Sequence, residues 1–566
     1  MKYIICGLEH IGVRIAEALL DLKTDVTVIT LNKNESSVFL IRDRVTNYVE
    51  GDARNIETLK LAGIDSTDYV LIFTSNEIKN IEINGKVKEV NPSVKTALLI
   101  KHLSYAKIVE QGFDVNCVFH LPSMVSLPIV SACIHKNILH TLRGDDRNYY
   151  FGHINSTEYP FLINKTIKEI EETYGIKVIN YISPNEQPFC EISDHHLVKE
   201  GSLIYLTTKE KHFDHSDFII KHKHHSALIT ETSRQISFLK GFTIPANIRK
   251  VIVMYLLLII LSIFIFSVFS GFSIINAFYF VITTTSTVGY GDFNLQNAPF
   301  WVKLYGCFVM LAGAALLATL FSVITDNIIS RRLGGYVGLY NRKIKDHVII
   351  AGMGSIGLDV VRHLMKMGVK ILVIEKNPDN PNIPLLRNKI PVLIGDSSEQ
   401  RVLMKAGIKQ AKTLAALIDN DLNNINIILK GNSLKSDLNT VARIFSHELH
   451  KKAATTFQID NVISVSSIAV PYIICHLIEK NIIWAGYLNT NIYALYSLNL
   501  SNYPAIIGLN KHQLMQSHSI CSVLVKRDHD LLPVTDETIF EENDHVFMFS
   551  SYEALNIIAG KNKSKN

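Results

Sequence analysis

The chain has 566 residues and a formal net charge of +5, and 48% of its residues are apolar. This length predicts several domains. The basic residues are too few and too scattered to form a nucleic-acid-binding surface, so we expect no nucleic-acid partner. The moderate apolar share indicates that any membrane part is joined to a larger water-soluble part.

An internal repeat organises the chain. Residues 3–12 (YIICGLEHIG) match residues 348–357 (VIIAGMGSIG), and shorter matches keep the two copies in step beyond that point. In each copy apolar strands alternate with helices, which predicts a parallel, doubly wound sheet. A smaller α+β lobe follows each copy. We place the first α/β domain at 1–145, its lobe at 146–210, and a linker with an interfacial segment at 211–248.

Two apolar runs follow the linker. Residues 251–269 and 304–325 contain no charged residue, and each is long enough to cross a bilayer. Between them, the apolar segment 273–284 is too short to span and predicts a re-entrant pore helix. We therefore predict an all-α membrane pore at 249–333.

The flanks of these runs set the expected orientation. Lys240, Arg249 and Lys250 precede the first run, and Arg331 and Arg332 follow the second. Because cytoplasmic flanks of membrane spans are rich in Lys and Arg, we expect both termini in the cytoplasm. The chain would then be a multi-pass protein of the inner (plasma) membrane.

A short motif between the two runs predicts what the pore conducts. TVGYGD is the selectivity-filter sequence of potassium channels, in which backbone carbonyls replace the water shell of K⁺. Its glycines allow backbone angles that other residues resist, and we expect the Asp292 carboxylate to bond Tyr279. The predicted filter residues are Thr287, Val288, Gly289, Tyr290, Gly291 and Asp292.

Gly313 lies midway along the second run. We predict a gating hinge there, with close helix packing as the alternative, since neighbouring alanines favour packing as well.

The second copy of the repeat, at 344–484 with its lobe at 485–562, carries a complete GxGxxG turn between a strand and a helix. Such a turn cradles a pyrophosphate, and an acid at the end of the next strand binds a ribose hydroxyl. NAD(H) or an adenine nucleotide is the predicted ligand, and glycines kept only for packing are the alternative. The predicted site comprises Gly352, Met353, Gly354, Ser355, Ile356, Gly357, Glu375 and Asp396.

The first copy departs from this pattern. Glu9 replaces the middle glycine, and the second strand, at 26–30, ends without an acid. Because a carboxylate repels a pyrophosphate, we expect no dinucleotide in the usual position there.

The pattern of the repeat, complete in its second copy, resembles the RCK (regulator of K⁺ conductance, TrkA-type) domain. The resemblance lies in the order of its parts: a strand, a GxGxxG turn, a helix, a second strand that ends in an acid, a Gly-Asp pair and a small lobe at the C-terminal end. With the TVGYGD pore, the chain resembles prokaryotic two-span potassium channels, but with one RCK domain on each side of the pore. The resemblance implies a homotetramer in the lipid bilayer, with K⁺ as the permeant ion. It also implies RCK domains in a cytoplasmic gating ring that binds a nucleotide and, as a second candidate, a divalent cation at an unknown site.

Two other functions are weighed against a ligand-gated channel. One is an RCK-type regulatory subunit of a K⁺ uptake system, against which the filter motif argues. The other is a membrane-anchored NAD-dependent oxidoreductase, which is disfavoured because no catalytic group accompanies the predicted nucleotide site. We therefore predict that the chain is not an enzyme.

Overall fold

The computed structural model describes residues 1–8, 10–31, 41–134, 138–143, 148–157, 159–183, 195–208, 246–333, 336–337, 344–386, 389–445, 449, 452–453, 456–457, 459–488, 490–528 and 530–563. Glu9 and nearly all of the predicted linker 211–248 lie outside these ranges. The described residues divide into two compact units, one containing both α/β domains with their lobes and the other the pore region.

The first α/β domain is built on a parallel sheet of six strands in the order β3-β2-β1-β4-β5-β6. Its four inner strands are mostly buried, as expected when helices cover both faces of a parallel sheet. The strands are β1 (Lys2–Cys6), β2 (Asp25–Thr30), β3 (Asn47–Glu50), β4 (Tyr69–Ile72), β5 (Lys95–Ile100) and β6 (Cys117–His120). The helices are α1 (His10–Asp21), α2 (Ile56–Leu61), α3 (Glu77–Val90), α4 (Leu103–Gly112) and α5 (Leu121–Cys133).

The first lobe is an antiparallel sheet in the order β7-β8-β10-β9 with one helix. It comprises β7 (Ile138–Arg143), β8 (Asn148–Asn155), α6 (Ile167–Tyr174), β9 (Lys177–Ile182) and β10 (Ser202–Thr207). The sheet of the lobe begins at Ile138, earlier than the predicted boundary at residue 146, because β7 pairs with β8 in antiparallel register.

We expect one partly buried histidine to make the first lobe sensitive to acid. The Nε2 atom of His153, on β8, is buried and has no hydrogen-bond partner among the described residues. Burial lowers the pKa of His153 from 6.5 to about 4. The unfolded chain therefore binds a proton that the folded lobe does not, so stability is full above about pH 6.5 and falls as the pH drops towards 4.

We expect His153→Leu to reduce this acid sensitivity by on the order of 2 kcal/mol, because it removes the group that must stay neutral. Hydrogen exchange of peptides covering β8 and β10, measured at pH 5 and pH 7 and corrected for intrinsic rates, reads the effect locally. His545→Leu, at an exposed position of the second lobe, is the control. Equal acid sensitivity in wild type and His153→Leu would contradict the assignment.

The pore region consists of three helices, α7 (Ala246–Phe269), α8 (Ile274–Thr285) and α9 (Phe300–Leu333). Two stretches, Val251–Phe269 and Phe300–Ser322, are long and apolar enough to cross a membrane. The shorter α8 begins after Ser273, whose hydroxyl accepts a hydrogen bond from the Asn276 N–H. A small core that includes Phe266, Phe280 and Val309 holds the three helices together.

The second α/β domain repeats the first. Its sheet has the order β11-β14-β13-β12-β15-β16-β17. The strands are β11 (Tyr336–Val337), β12 (His347–Ala351), β13 (Ile371–Glu375), β14 (Val392–Ile394), β15 (Ala411–Ala416), β16 (Asn439–Ile444) and β17 (Asn461–Ser464). The helices are α10 (Ser355–Lys366), α11 (Ile383–Leu386), α12 (Gln400–Lys405), α13 (Asp421–Leu434) and α14 (Val465–Ile478).

The short strand β11 has no counterpart in the predicted fold. It precedes the predicted domain start at residue 344 and pairs antiparallel with β14, the edge strand of the parallel sheet. Only residues 334 and 335 separate it from the end of α9. The sheet of the second α/β domain is thus attached to α9 through its edge.

The second lobe is an antiparallel sheet in the order β18-β19-β22-β20-β21. It comprises β18 (Ile482–Leu488), β19 (Asn491–Asn499), α15 (Lys511–His518), β20 (Ile520–Arg527), β21 (Asp530–Pro533), β22 (His545–Ser551) and α16 (Tyr552–Lys563).

The two α/β domains pack directly against each other. One continuous apolar core contains residues of α1 and α5 together with residues of α10 and α14. Hydrogen bonds cross the same contact, from the Tyr69 hydroxyl to the Leu477 carbonyl (3.0 Å) and from the Thr413 hydroxyl to the Cys133 carbonyl (2.8 Å). The two halves of the repeat therefore form one intramolecular pair.

Candidate functional site

The filter motif follows directly on the C-terminal end of α8. The φ angle is positive at Thr287 (63°), Gly289 (54°) and Gly291 (79°), and it is not positive at the intervening Val288 and Tyr290. A backbone that alternates in this way turns successive carbonyls towards one side, which is the geometry a carbonyl-lined filter requires.

Contacts with the end of the pore helix fix the start of this segment. The N–H groups of Val288 and Gly289 both donate to the Thr283 carbonyl, each at 3.0 Å. At the other end, the Asp292 carboxylate lies close enough to the Tyr279 hydroxyl to interact with it, and a hydrogen bond between them stays a prediction. The filter role of these residues stays a prediction.

The close contact between Gly313 and Thr285 favours the alternative that the glycine allows close helix packing. A Cβ added at Gly313 would lie 2.6 Å from Cγ2 and 2.9 Å from Cβ of Thr285. Thr285 is fully buried and also accepts a hydrogen bond from the Tyr255 hydroxyl of α7 (3.1 Å). Helix α9 continues through Gly313 without a break. The glycine thus lets α9 contact the base of the filter, and bending there stays a prediction.

Three glycines in the second α/β domain have three different surroundings. Gly352 has a φ of 101°, and a Cβ there would lie 2.5 Å from Cγ2 of Ile418. A Cβ at Gly357 would lie 2.2 Å from the Gly352 carbonyl oxygen. Gly354 has an ordinary φ of −69°, and a Cβ there would meet nothing within 4 Å. The fold itself therefore requires Gly352 and Gly357, whereas at Gly354 the glycine leaves open space at the start of α10.

Glu375 lies at the end of β13, directly beside this turn. One carboxylate oxygen accepts a hydrogen bond from the Met353 N–H and the other from the Asn377 N–H, both at 2.9 Å. Two side-chain amides that the sequence did not single out, those of Asn380 and Asn382, donate to the Met353 carbonyl at 3.2 and 2.9 Å. The acid is thus held at the place where a dinucleotide ribose would lie.

Asp396 follows β14, the neighbouring strand. It accepts hydrogen bonds from the Ser398 hydroxyl (2.6 Å) and N–H (2.9 Å) and forms an ion pair with Lys376 (2.9 Å). These bonds lower the pKa of Asp396 to about 2. Two carboxyl groups, those of Glu375 and Asp396, therefore lie at the ends of β13 and β14, and the exposed Lys376 pairs with the second of them.

The first α/β domain keeps the fold-required glycines. Gly7 has a φ of 96°, and a Cβ at Gly12 would lie 2.0 Å from the Gly7 carbonyl oxygen. At the equivalent cleft only about 110 Å³ is open, lined among others by Thr30 and Asp52. The second strand ends at Thr30, without an acid. That no dinucleotide binds there in the usual position stays a prediction.

A pair of buried asparagines at matched positions of the repeat was missed as a site feature. The Asn80 side chain donates to the Leu99 carbonyl (3.0 Å), and the Asn424 side chain donates to the Arg443 carbonyl (2.9 Å). Each amide ties together the carboxyl ends of two adjacent strands. The repeat shows both residues, but their role depends on a contact between separate strands.

No cluster of three or more His, Cys, Asp or Glu side chains suited to a metal ion occurs among the described residues. A divalent cation as a second ligand stays a prediction.

Comparisons with known protein families agree with this domain order. The TrkA-N domain matches residues 3–120 and 348–465, and the ion channel domain matches residues 252–330. The voltage-gated potassium channel Kch of Escherichia coli is 32% identical over 177 residues, which cover 30% of this chain and 42% of that protein. Potassium channel protein 1 of Methanocaldococcus jannaschii is 30% identical over 201 residues, covering 34% and 59%. The chain thus spans about half the length of these two relatives.

Solved structures share the fold at low identity. The GsuK RCK domain superposes with a TM-score of 0.50 at 15% identity, covering 100% of this chain and 95% of that one. The GsuK channel bound to NAD gives a TM-score of 0.50 at 14% identity, covering 100% and 79%. The two curated relatives named above are potassium channels, and the chain is not an enzyme, as predicted. The chain thus carries two TrkA-N (RCK) domains, one on each side of an ion channel domain.

Proposed function

We propose that the chain forms a potassium-selective channel that is gated by a nucleotide bound to its second TrkA-N domain. The observation that carries the proposal is the TVGYGD segment, which has an alternating backbone and follows the short helix α8 between the two apolar helices α7 and α9. Uptake of K⁺ and Na⁺ into liposomes that contain the purified chain tests it. A channel of this kind passes K⁺ far better than Na⁺.

A tetramer is supported by apolar side chains that a single chain leaves exposed in the pore domain. Val288 is 53% exposed and Tyr290 72%, although both belong to the segment whose geometry must be held rigid. Neighbouring subunits around a common axis would cover them. Both termini lie in the cytoplasm in this arrangement, because Arg249, Lys250, Arg331 and Arg332 flank the two spans.

A ring of TrkA-N domains is supported in the same way. Exposed apolar residues lie on α3 and α4 of the first domain and on α13 of the second, away from the contact within the pair. They are Ile78, Leu103, Tyr105, Ile108, Leu422 and Leu429. Large apolar side chains grouped on one surface mark protein contacts, so these helices would join one pair of domains to the next.

Nucleotide control is supported by the open space at Gly354. Nothing in the fold requires glycine there, whereas a pyrophosphate at the N-terminus of α10 would need its backbone bare. Glu375 is placed for the ribose. One structural relative is described as bound to NAD, and NAD(H) or an adenine nucleotide is the proposed regulator here.

We expect Gly354→Glu to lower NAD⁺ or ADP affinity at least about 100-fold, because the carboxylate would occupy the pyrophosphate position and repel it. Glu375→Gln should weaken binding about tenfold, since an amide oxygen can still accept from the Met353 N–H but the charge on the ribose contact is lost. Calorimetry on the full chain in detergent measures both and should give one site per subunit.

Glu9→Gln is the matched control in the first domain, and it should leave affinity and stoichiometry unchanged. Two equivalent dinucleotide sites per subunit would contradict the proposed asymmetry. Unchanged binding by a folded Gly354→Glu protein would remove the nucleotide part of the proposal and leave potassium conduction untouched.

A further inference from the structure

Lys303 is an isolated charge in the pore domain. Between residues 251 and 325 the sequence contains only two charged residues, Asp292 and Lys303. The Asp292 carboxylate lies close to the Tyr279 hydroxyl and interacts with it. Lys303 is exposed and has no hydrogen bond or ion pair with any residue in the described part of the chain.

Helix α9 directs Lys303 towards the filter. Lys303, Gly306, Cys307 and Met310 are spaced three, four and seven residues apart, so they share one face of the helix. A Cβ at Gly306 would lie 2.7 Å from Cδ1 of Leu295, in the loop that follows the filter. The first turns of α9 are therefore packed closely against this loop.

The same face borders a cavity that reaches the filter backbone. The cavity has a volume of about 700 Å³, and it is lined by Lys303 and also by Thr287, Gly289 and Gly291. A space of that volume is roughly 9 Å across, close to the Debye length of about 8 Å at physiological ionic strength. The ammonium charge is therefore felt by an ion entering the filter.

We propose that Lys303 sets the conductance of the pore by holding down the K⁺ concentration at the end of the filter next to Asp292. The inference rests on the proposed potassium channel and adds a residue that limits its flux. A cation beside a cation pathway acts against ion entry. In a tetramer four such charges surround the same pathway. At roughly 9 Å they lower the local K⁺ concentration about tenfold in 10 mM salt but only about 1.2-fold in 1 M salt, where the Debye length falls to about 3 Å.

The test is single-channel conductance in planar bilayers, in symmetric KCl from 10 mM to 1 M. We expect Lys303→Gln to conduct about three- to tenfold better than wild type at 10 mM and within about 1.5-fold of it at 1 M. Lys303→Glu should increase the low-salt conductance further, and Lys303→Arg should match wild type. Lys168→Gln, at an exposed position of the first lobe, is the matched control.

A Lys303→Gln to wild-type ratio that does not change with ionic strength would overturn the inference. That result would mean that the ammonium is neutralised, for example by a carboxylate of a neighbouring subunit. If the Lys303→Gln variant does not assemble, the proposal can still be tested on the wild-type protein. An impermeant salt, added at constant 10 mM K⁺ only on the side of the membrane that Asp292 faces, should raise the wild-type conductance because it screens the Lys303 charge. An unchanged conductance would refute the proposal. Absence of any potassium-selective current at 1 M KCl would instead refute the channel itself.

Discussion

Gly289→Ala and Gly291→Ala are expected to abolish potassium flux or its selectivity over sodium. Both glycines have a positive φ, 54° and 79°, and nothing lies within 4 Å of a Cβ added at either position. The substitution is therefore opposed by backbone strain and not by a clash, at about 1–2 kcal/mol per residue. Relief of that strain rotates a carbonyl away from the ion path. Parallel K⁺, Rb⁺ and Na⁺ flux assays in liposomes measure the loss.

Gly271→Ala is a close control for this experiment. Gly271 lies between α7 and α8 with a φ of 71°, and a Cβ there also meets nothing within 4 Å. The same strain is thus introduced in the same domain but outside the filter. We expect Gly271→Ala to lower stability by a similar amount and to keep selectivity. Equal K⁺ and Na⁺ flux through a well-folded wild-type tetramer would contradict the assignment of the TVGYG segment as a selectivity filter.

The parallel sheets and the pore helices could be predicted because their signals are local. A strand such as His347–Ala351 is buried on both faces and reads as a continuous apolar run, and a span such as Val251–Phe269 has no charge to interrupt it. Each of these patterns depends only on residues that are neighbours in sequence. Because the two copies of the repeat carry the same pattern, each supported the prediction of a parallel α/β sheet for the other.

The elements that were missed depend on contacts between distant segments. Strand β11 is two residues long and exists only because β14 offers it an edge, so no periodicity could reveal it. Similarly, the residues of β7 fell within the predicted first α/β domain, because only the pairing of β7 with β8 places them in the lobe.

The sequence predicted the residues of the nucleotide site as a group, but it could not show which of them the fold requires and which are free to contact a ligand. A GxGxxG pattern treats its three glycines alike. Only the surroundings separate Gly352 and Gly357, which the fold requires, from Gly354, which faces open space. In the same way, nothing in the sequence showed that Asn380 and Asn382 would hold the Met353 carbonyl.

The short connection between the pore and the second TrkA-N domain predicts how ligand binding is coupled to conductance. Helix α9 ends at Leu333 and β11 begins at Tyr336, so two residues join them. Strand β11 pairs with β14, which pairs with β13. Asp396 follows the end of β14, and Glu375 is the last residue of β13. A ligand that draws those strand ends together therefore acts on the very strands to which α9 is tied.

Insertion of a flexible Gly/Ser segment directly after Gly335 is expected to uncouple ligand from conductance. A flexible linker behaves as a random coil and transmits little tension, so nucleotide should still bind while the open probability no longer responds to it. Selectivity should be unchanged, because the filter is untouched. The same insertion near His222, in the long segment that joins the first TrkA-N domain to α7, should have a much smaller effect, since that connection is already long. Single-channel recordings with and without nucleotide compare the two, and equal effects would refute the view that the second domain alone pulls on the gate.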